Sequence, residues 1–156
     1  MPEDRCDDEL GARLQQVRAN IAKAANKFGR DPDSIRLLAA SKNQPPEKIN
    51  ALHSAGQIWF GENYANELFE KVTAIQSSQI RWSFIGHLQS NKIQRLVKCC
   101  HEIQTVSSAK HARYISRYAK EFGKSPFPVF IAVNAGAESQ KSGIAISEIE
   151  AFTKMP

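Results

Sequence analysis

The chain alternates short apolar runs with amphipathic segments, and this alternation restricts its possible folds more than any other feature. Five runs have the length and apolar character of strands: residues 35–41, 58–60, 81–85, 102–106 and 128–133. Segments with apolar residues at three- and four-residue steps separate these runs, as in amphipathic helices. Alternating strands and helices form βα units, which right-handed crossovers join into a parallel sheet. The sequence therefore predicts an α/β protein.

The predicted helices carry start and stop signals. Pro45-Pro46 opens one helix that Gly56 closes, and Ser107 or Ser108 caps another that ends at Gly123. The first helix precedes the first strand and ends at Gly29. Its apolar stripe comprises Leu10, Leu14, Val17, Ile21, Ala24 and Phe28.

Two architectures fit this alternation. An open doubly wound sheet suits 156 residues, whereas a closed (β/α)₈ barrel has about 250 residues and at least about 200. Length alone favours the open sheet. However, Ser147-Glu148-Ile149-Glu150 matches a capping box, so a new helix begins just before the chain stops. We therefore expect residues 1–156 to form a single domain that is incomplete at its C-terminal end.

The chain is basic, but its charge does not select a partner. Lysine and arginine number 21 against 16 aspartates and glutamates, a formal charge of +5. No run of five basic residues occurs, so we expect a solvated basic surface and not a nucleic-acid-binding arm. The scattered basic residues include Arg13, Arg18, Lys23, Lys27, Lys71, Arg81, Lys92, Arg95, Lys98, Arg113 and Arg117.

Cysteine usage and the N-terminus both predict a cytoplasmic location. The three cysteines are Cys6, Cys99 and Cys100, an odd number that suggests no disulfide framework. Adjacent cysteines lack the spacing of a zinc site, so we expect small buried hydrophobes and no metal. The N-terminus is acidic where a secretory signal would be basic, and no apolar stretch approaches about 18 residues.

Lys42 is the residue best suited to carry chemistry. Side chains alternate along a strand, so Leu38, Ala40 and Lys42 share one face, and Lys42 comes at the carboxyl end of the first run. Ligands bind at that end of the strands in parallel α/β folds. A lysine amine beside apolar surface can condense with an aldehyde. From position alone, a solvated loop lysine is an equally simple interpretation.

Glycine and amide side chains follow the other predicted strands at the same edge. Asn63 follows the second strand, Ile85-Gly86-His87 the third and Asn134 the fifth. Glycine allows close backbone approach to a flat ligand, and asparagine supplies neutral donors and acceptors. Turn chemistry explains each segment alone equally well. The sequence contains no dinucleotide fingerprint, Walker loop, H-E-x-x-H or G-x-S-x-G, which excludes the commonest nucleotide, zinc-protease and hydrolase sites.

Five segments together closely resemble the pyridoxal phosphate homeostasis protein family, also described as alanine racemase N-terminal-domain-like proteins. They are LAASK at 38–42, AGQ at 55–57, FGENY at 60–64, WSFIGHLQSNK at 82–92 and KSG at 141–143. The resemblance runs from the first helix to the chain end, and the glycine-histidine segment with its following Gln-Ser-Asn-Lys is highly specific. Two departures are Asn43-Gln44, where the family has threonine-lysine, and Ala135-Gly136-Ala137.

The resemblance implies a (β/α)₈ barrel of the PLP fold type III, with a leading N-terminal helix. Only about the first five βα units would lie in this chain. It implies binding of pyridoxal 5′-phosphate (PLP), with Lys42 as the Schiff-base lysine. The other positions that match the lining of the cofactor cavity are Asn63, Ile85, Gly86, His87 and Asn134. The family's phosphate-binding groups lie in the last strand-to-helix loops, beyond the residues present here.

The implied function is intracellular PLP homeostasis, by binding, buffering and supplying the cofactor without robust turnover. The implied partners are PLP and apo-enzymes, with no nucleic acid and no membrane, and the complete protein is expected to be a monomer. An alternative is a weak PLP-dependent amino-acid racemase or lyase. A nucleic-acid-binding surface is a third hypothesis, which predicts steeply salt-dependent binding.

Overall fold

Five parallel strands form the sheet on which the other elements pack. The structure is a computed structural model that describes residues 2–136, 138 and 142–154, with the backbone alone for residues 2–8. Lys141 of the KSG segment therefore lies outside the described residues. Within them the strands are β1 (Ala39–Ala40), β2 (Trp59–Glu62), β3 (Arg81–Phe84), β4 (Glu102–Val106) and β5 (Val129–Ile131). The α-helices are α1 (Pro2–Lys27), α2 (Pro46–Ser54), α3 (Ala65–Ala74), α4 (Ile93–Cys99), α5 (Ala109–Glu121) and α6 (Ile149–Thr153).

The strands pair in chain order, β1-β2-β3-β4-β5, and each pair is parallel. This is the order of the first five strands of a (β/α)₈ barrel. A doubly wound sheet instead reverses its order at a switch point. The predicted α/β barrel architecture is confirmed, and the open sheet that length alone favours is wrong.

The core lies between the sheet and helices α2 to α5. Phe60, Trp82, Phe84 and Ile103 point from successive strands to this side and are at most 3% exposed. Burying each such side chain stabilises the fold by about 1.5–3 kcal/mol. From these helices and from Ile75, which follows α3, the core takes Leu68, Phe69, Ile75, Ile93, Leu96, Val97, Ile115 and Ala119.

The opposite face of the sheet, here called the inner face, carries a polar cluster near its amino end. Glu102 Oε2 accepts a hydrogen bond from Arg36 at 2.7 Å. Its Oε1 accepts from Ser83 Oγ at 2.9 Å and from Gln104 Nε2 at 2.6 Å. The Arg36 guanidinium also lies 4.0 Å from the ring centre of Trp59. Arg36 thereby links the segment before β1 to β4.

The first predicted strand is too long and its burial on both faces is wrong. The structure pairs only Ala39 and Ala40 of residues 35–41, and Ala40 is exposed on the inner face. The apolar run alone cannot distinguish a strand with neighbours on both sides from one at an edge. Two positions of the first helical stripe are also exposed, Val17 at 43% and Phe28 at 78%.

The predicted cap of α5 is confirmed, whereas the first helix begins at Pro2, earlier than the start expected after Asp7 and Asp8, and the last helix also begins differently. Ser108 Oγ accepts from the His111 amide at 3.2 Å, so Ser108 is the predicted cap of α5. Helix α6 exists, but the Ser147 capping box is wrong. The Glu148 carboxylate accepts from the Ala145 amide at 3.0 Å instead. A single 3₁₀ turn moves the start of the helix upstream.

Cys99 and Cys100 lie in the environment expected of small core residues. Cys100 is fully buried and Cys99 half-buried, and burial raises the pKa of both thiols, as expected for small core residues. Among the described residues, no three His, Cys, Asp or Glu side chains are grouped to hold a metal ion. In the same ranges, no helix has the length and hydropathy needed to span a bilayer.

Candidate functional site

Lys42 follows β1 at the carboxyl edge of the sheet, where the sequence places it. The side chain is exposed, and within the described residues its ammonium has no hydrogen-bond or ion-pair partner. By alternation it stands on the inner face with Leu38 and Ala40. The structure therefore presents an accessible primary amine on that face.

Apolar side chains meet over a glycine beside Lys42. Gly61 pairs with Ala40 in the sheet, so both lie on the inner face. A Cβ added to Gly61 would lie 3.0 Å from Ile85 Cδ1 and 3.1 Å from Leu38 Cδ2. The glycine allows Leu38 and Ile85 to approach each other across β2. Their side chains form an apolar floor next to the amine.

Backbone hydrogen bonds hold the segments after β1 and β3 against β2. The Ser41 amide donates to the Gly61 carbonyl at 2.9 Å. The Ile85 amide donates to the Glu62 carbonyl at 2.9 Å. Lys42 and Ile85 thus flank the end of β2 from its two sides.

Asn63, Gly86 and His87 line a cavity of about 330 Å³ between the segments that follow β2 and β3. A Cβ on Gly86 would lie 1.8 Å from the Asn63 carbonyl oxygen, so only glycine permits this approach. Lys92, also in the lining, donates to Asn66 Oδ1 at 3.0 Å. Lys42 and Ile85 lie outside this lining, on the inner face.

His87 is exposed in the segment that follows β3, and its Nδ1 lies 3.4 Å from Ser142 Oγ. Strand β4 supports Gly86, the residue before His87, because Thr105 Oγ1 donates to the Gly86 carbonyl at 2.6 Å. The segment that holds His87 is therefore fixed to both β2 and β4.

Asn134 lies apart from the other predicted site residues. It follows β5, whereas Lys42 follows β1, and the order of the sheet places three strands between them. Its side-chain amide donates to the Glu138 carbonyl at 2.8 Å and accepts from the Glu138 amide at 3.2 Å. In this structure Asn134 closes its own loop.

A buried polar network, which the sequence analysis missed, lies on the helix side directly behind Lys42. Lys71 Nζ of α3 donates to Glu62 Oε1 at 2.7 Å, Glu67 Oε1 at 2.6 Å and the Ser41 carbonyl at 2.7 Å. Ser41 Oγ donates to Glu62 Oε1 at 2.6 Å, and the Asn43 amide donates to Glu67 Oε1 at 2.6 Å. These five residues are called the Lys71 network below.

The prediction of a solvated basic surface is wrong for Lys71, which is 4% exposed. Helical spacing could have revealed it, because Lys71 lies three residues after the core residue Leu68 and four after Glu67. Burial raises the pKa of the Glu62 carboxyl, and hydrogen bonds from Lys71 and Ser41 partly oppose that increase. Glu62 Oε2 is buried without a hydrogen-bond partner among the described residues.

Proteins of one name are similar to this chain over most of its length. No family model matches the chain. The pyridoxal phosphate homeostasis protein of Pseudomonas aeruginosa is 33% identical over 145 residues, which cover 93% of this chain and 63% of that protein. The Escherichia coli K12 protein of the same name is 36% identical over 149 residues, 92% of this chain and 62% of that protein. This chain is thus similar to members of the pyridoxal phosphate homeostasis protein family over more than 90% of its own length.

Members of this family from distant organisms match in the same way. The protein of that name from Schizosaccharomyces pombe is 36% identical over 138 residues, 87% of this chain and 55% of the yeast protein. The chain thus spans less than two thirds of the length of these three relatives.

Two solved structures support the family fold. An unknown protein from Bifidobacterium adolescentis superposes with a TM-score of 0.84 at 30% identity, over 96% of this chain and 64% of that one. PipY of Synechococcus elongatus, solved with PLP bound, superposes with a TM-score of 0.68 at 29% identity, over 87% of this chain and 65% of that one.

Proposed function

We propose that this chain binds PLP through Lys42 and belongs to a protein that maintains the intracellular PLP supply. The accessible amine of Lys42, which lies at the carboxyl edge of a barrel-type sheet and has no partner within the described ranges, carries this proposal. The names of the related homeostasis proteins and the PLP bound to PipY support the choice of cofactor.

The residues around Lys42 fit a flat aromatic aldehyde. PLP supplies an aldehyde group, which condenses with a primary amine and releases water. Leu38 and Ile85, which meet over Gly61, offer an apolar surface for the ring. Asn63, Gly86 and His87 lie at the end of the neighbouring strands and supply polar groups at the same edge. Asn134 would contribute from the far side of a closed barrel.

The site suits holding the cofactor better than catalysing a reaction with it. Fast proton transfer needs a positioned acid or base within hydrogen-bond distance of the reacting group. Within the described part of the chain, no such side chain is hydrogen-bonded to Lys42. We therefore propose a carrier without robust turnover, which supplies apo forms of PLP-dependent enzymes in the cytoplasm and acts as a monomer in its complete form.

The test is to incubate the purified chain with PLP, reduce any imine with borohydride and map the modified peptide by mass spectrometry. We expect label predominantly at Lys42 and its loss in Lys42→Ala. Lys48→Ala is the matched control, because Lys48 is an exposed lysine at the start of α2, six residues after Lys42, and donates to Gln44 Oε1 at 3.1 Å. Label spread evenly over the exposed lysines would reject the proposal.

A second experiment addresses the supply of cofactor. The PLP-loaded chain is mixed with an apo-enzyme, and recovery of that enzyme's activity is compared with recovery in free PLP at equal concentration. Faster recovery with the loaded chain supports a supply role. Recovery limited to PLP that has already dissociated would contradict it.

A further inference from the structure

The residues on both sides of Lys42 are anchored to helix α3, while the Lys42 ammonium has no hydrogen-bond partner among the described residues. Before it, the Ser41 carbonyl accepts from Lys71 and the Ser41 hydroxyl donates to Glu62. After it, the Asn43 amide donates to Glu67. The backbone is therefore fixed one residue before and one residue after the amine-bearing position.

We propose that Lys71 is a positioning residue for Lys42, acting with Glu62 and Glu67 through the backbone of Ser41 and Asn43. Lys71 does not touch the cofactor site: its side chain lies behind the sheet and is 5% exposed. Its role for PLP rests on the proposed function, whereas its effect on the backbone does not.

Strand alternation explains how the network directs Lys42. Ser41 is 4% exposed and points to the helix side, where Glu62 and Lys71 bind it. The next side chain must point to the opposite side, which is the inner face. A rotation that carried Lys42 away from this face would break the contacts of Ser41.

The turn after Lys42 is supported by a side chain of helix α3. Asn43 has a φ of 59°, a left-handed conformation that non-glycine residues adopt rarely, although asparagine tolerates it best. In this conformation its amide reaches the Glu67 carboxylate, which also binds Lys71. Glu67 therefore couples the turn to the buried ammonium.

Charge explains why a lysine is needed at position 71. The ammonium lies between the carboxylates of Glu62 and Glu67 and donates to both. Its third bond goes to the Ser41 carbonyl, so all three of its protons have acceptors. An apolar replacement would leave two acidic side chains facing each other behind Lys42.

The experiment compares Lys71→Met, Lys71→Arg and the matched control Lys48→Met with the wild-type chain. One measurement is amide hydrogen exchange of residues 41–44, which needs no PLP. The other is the rate of borohydride-trapped labelling at Lys42 relative to Lys120, an exposed lysine on α5. Misplacement of a reacting group by about 1 Å can cost 10²-fold in rate.

In Lys71→Met we expect faster exchange at Asn43 and at least an about tenfold fall in the Lys42-to-Lys120 labelling ratio. Lys71→Arg should recover part of the ratio, because arginine keeps the charge. Lys48→Met should leave both measurements unchanged. Exchange and labelling in Lys71→Met equal to those of Lys48→Met would overturn the proposal.

Failure of the proposed function and failure of a variant to fold can each be distinguished from failure of the positioning role. If the wild-type chain is not labelled at Lys42, the proposed function fails, and the exchange measurement alone decides whether Lys71 holds the turn. If Lys71→Met does not fold, Glu67→Ala replaces it, because the Glu67 side chain is 23% exposed and alanine favours helix α3. Unchanged exchange at Asn43 in Glu67→Ala would then overturn the proposal.

Discussion

Gly86 shows how one missing methyl group shapes the site. The segments after β2 and β3 approach so closely that a Cβ on Gly86 would lie within 1.8 Å of the Asn63 carbonyl oxygen. The neighbouring atom belongs to the backbone, which cannot move aside as a flexible side chain can. The approach of these segments defines one wall of the cavity that Asn63 and His87 line.

We predict that Gly86→Ala lowers the free energy of unfolding by about 1–3 kcal/mol or more, as overpacking does. Gly11→Ala is the control, because we expect it to raise the free energy of unfolding. Its added Cβ meets only Ala55 Cβ at 3.6 Å, and alanine in a helix is more favourable than glycine by about 0.8–1 kcal/mol. Urea unfolding of both variants checks the prediction, and equal stabilities would contradict it.

The raised pKa of Glu62 predicts how stability changes with pH. Burial is the largest cause, so the folded state holds the proton above the carboxyl's ordinary value of 4.5. The stabilising contribution of the protonated form is complete below that value and is lost as pH rises through the folded pKa. The wild-type free energy of unfolding should therefore fall relative to that of Glu62→Gln as pH rises from 4.5.

Urea unfolding at several pH values checks this prediction. The measured quantity is the difference between wild type and Glu62→Gln at each pH, which cancels the titration of groups common to both. A difference that stays constant or rises with pH would show that Lys71 and Ser41 outweigh burial at Glu62.

Sequence reasoning identified the exposed chemistry of the site but not the buried support behind it. Lys42 and Gly86 could be found because strand ends and glycines leave local patterns. Lys71 could not be recognised by charge alone, since a lysine on an amphipathic helix is usually solvated. Its burial depends on Glu62 and Ser41, which come from two other strand ends. Helical spacing after Leu68 could have revealed that Lys71 is buried, but the identity of its partners cannot be derived from one segment.

At the scale of elements, Arg36 connects parts of the sheet that do not pair. It precedes β1, yet its guanidinium binds the buried carboxylate of Glu102 at the start of β4. Ser83 of β3 and Gln104 share that carboxylate. The cluster crosses the inner face and ties the first strand to the fourth.

We predict that Arg36→Met destabilises the chain by about 1–3 kcal/mol, the usual cost of removing a partner from a buried acceptor. Glu102→Gln should reduce the effect of Arg36→Met, because a neutral amide needs the guanidinium less. A double-mutant cycle by urea unfolding measures this coupling. Additive effects of the two substitutions would contradict it.

Local sequence patterns predict the helices and strands, but they do not show which strands lie at the edges of the sheet. The bounds of β4 match the predicted run from Glu102 to Val106. By contrast, only Ala39 and Ala40 pair within the first run, because a strand with a neighbour on one side receives fewer hydrogen bonds. The order of the sheet also needed the structure, since βα alternation is common to barrels and open sheets.

At the scale of the whole molecule, the described sheet ends at β1 on one side and at β5 on the other. Among the described strands, β1 and β5 each pair on one side. Val129 and Phe130 of β5 are 43% and 49% exposed. Exposed apolar edge strands recruit other strands.

We predict that the 156-residue chain self-associates through β5. Phe130→Lys should reduce this association, because a charge on an edge strand opposes pairing. Phe28→Lys is the matched control, since Phe28 is 78% exposed at the end of α1, away from the sheet. Sedimentation velocity over a concentration series checks the prediction, and a monomer at every concentration would contradict it.

The sequential order of the strands also has a consequence for the time course of folding. Each strand pairs with the one synthesised just before it, so every βα unit can dock as it leaves the ribosome. The bond from Arg36 to Glu102 is different, because it joins residues 66 positions apart. Such a contact must wait for the intervening strands, and we expect it to form late, after the sheet from β1 to β4 has assembled.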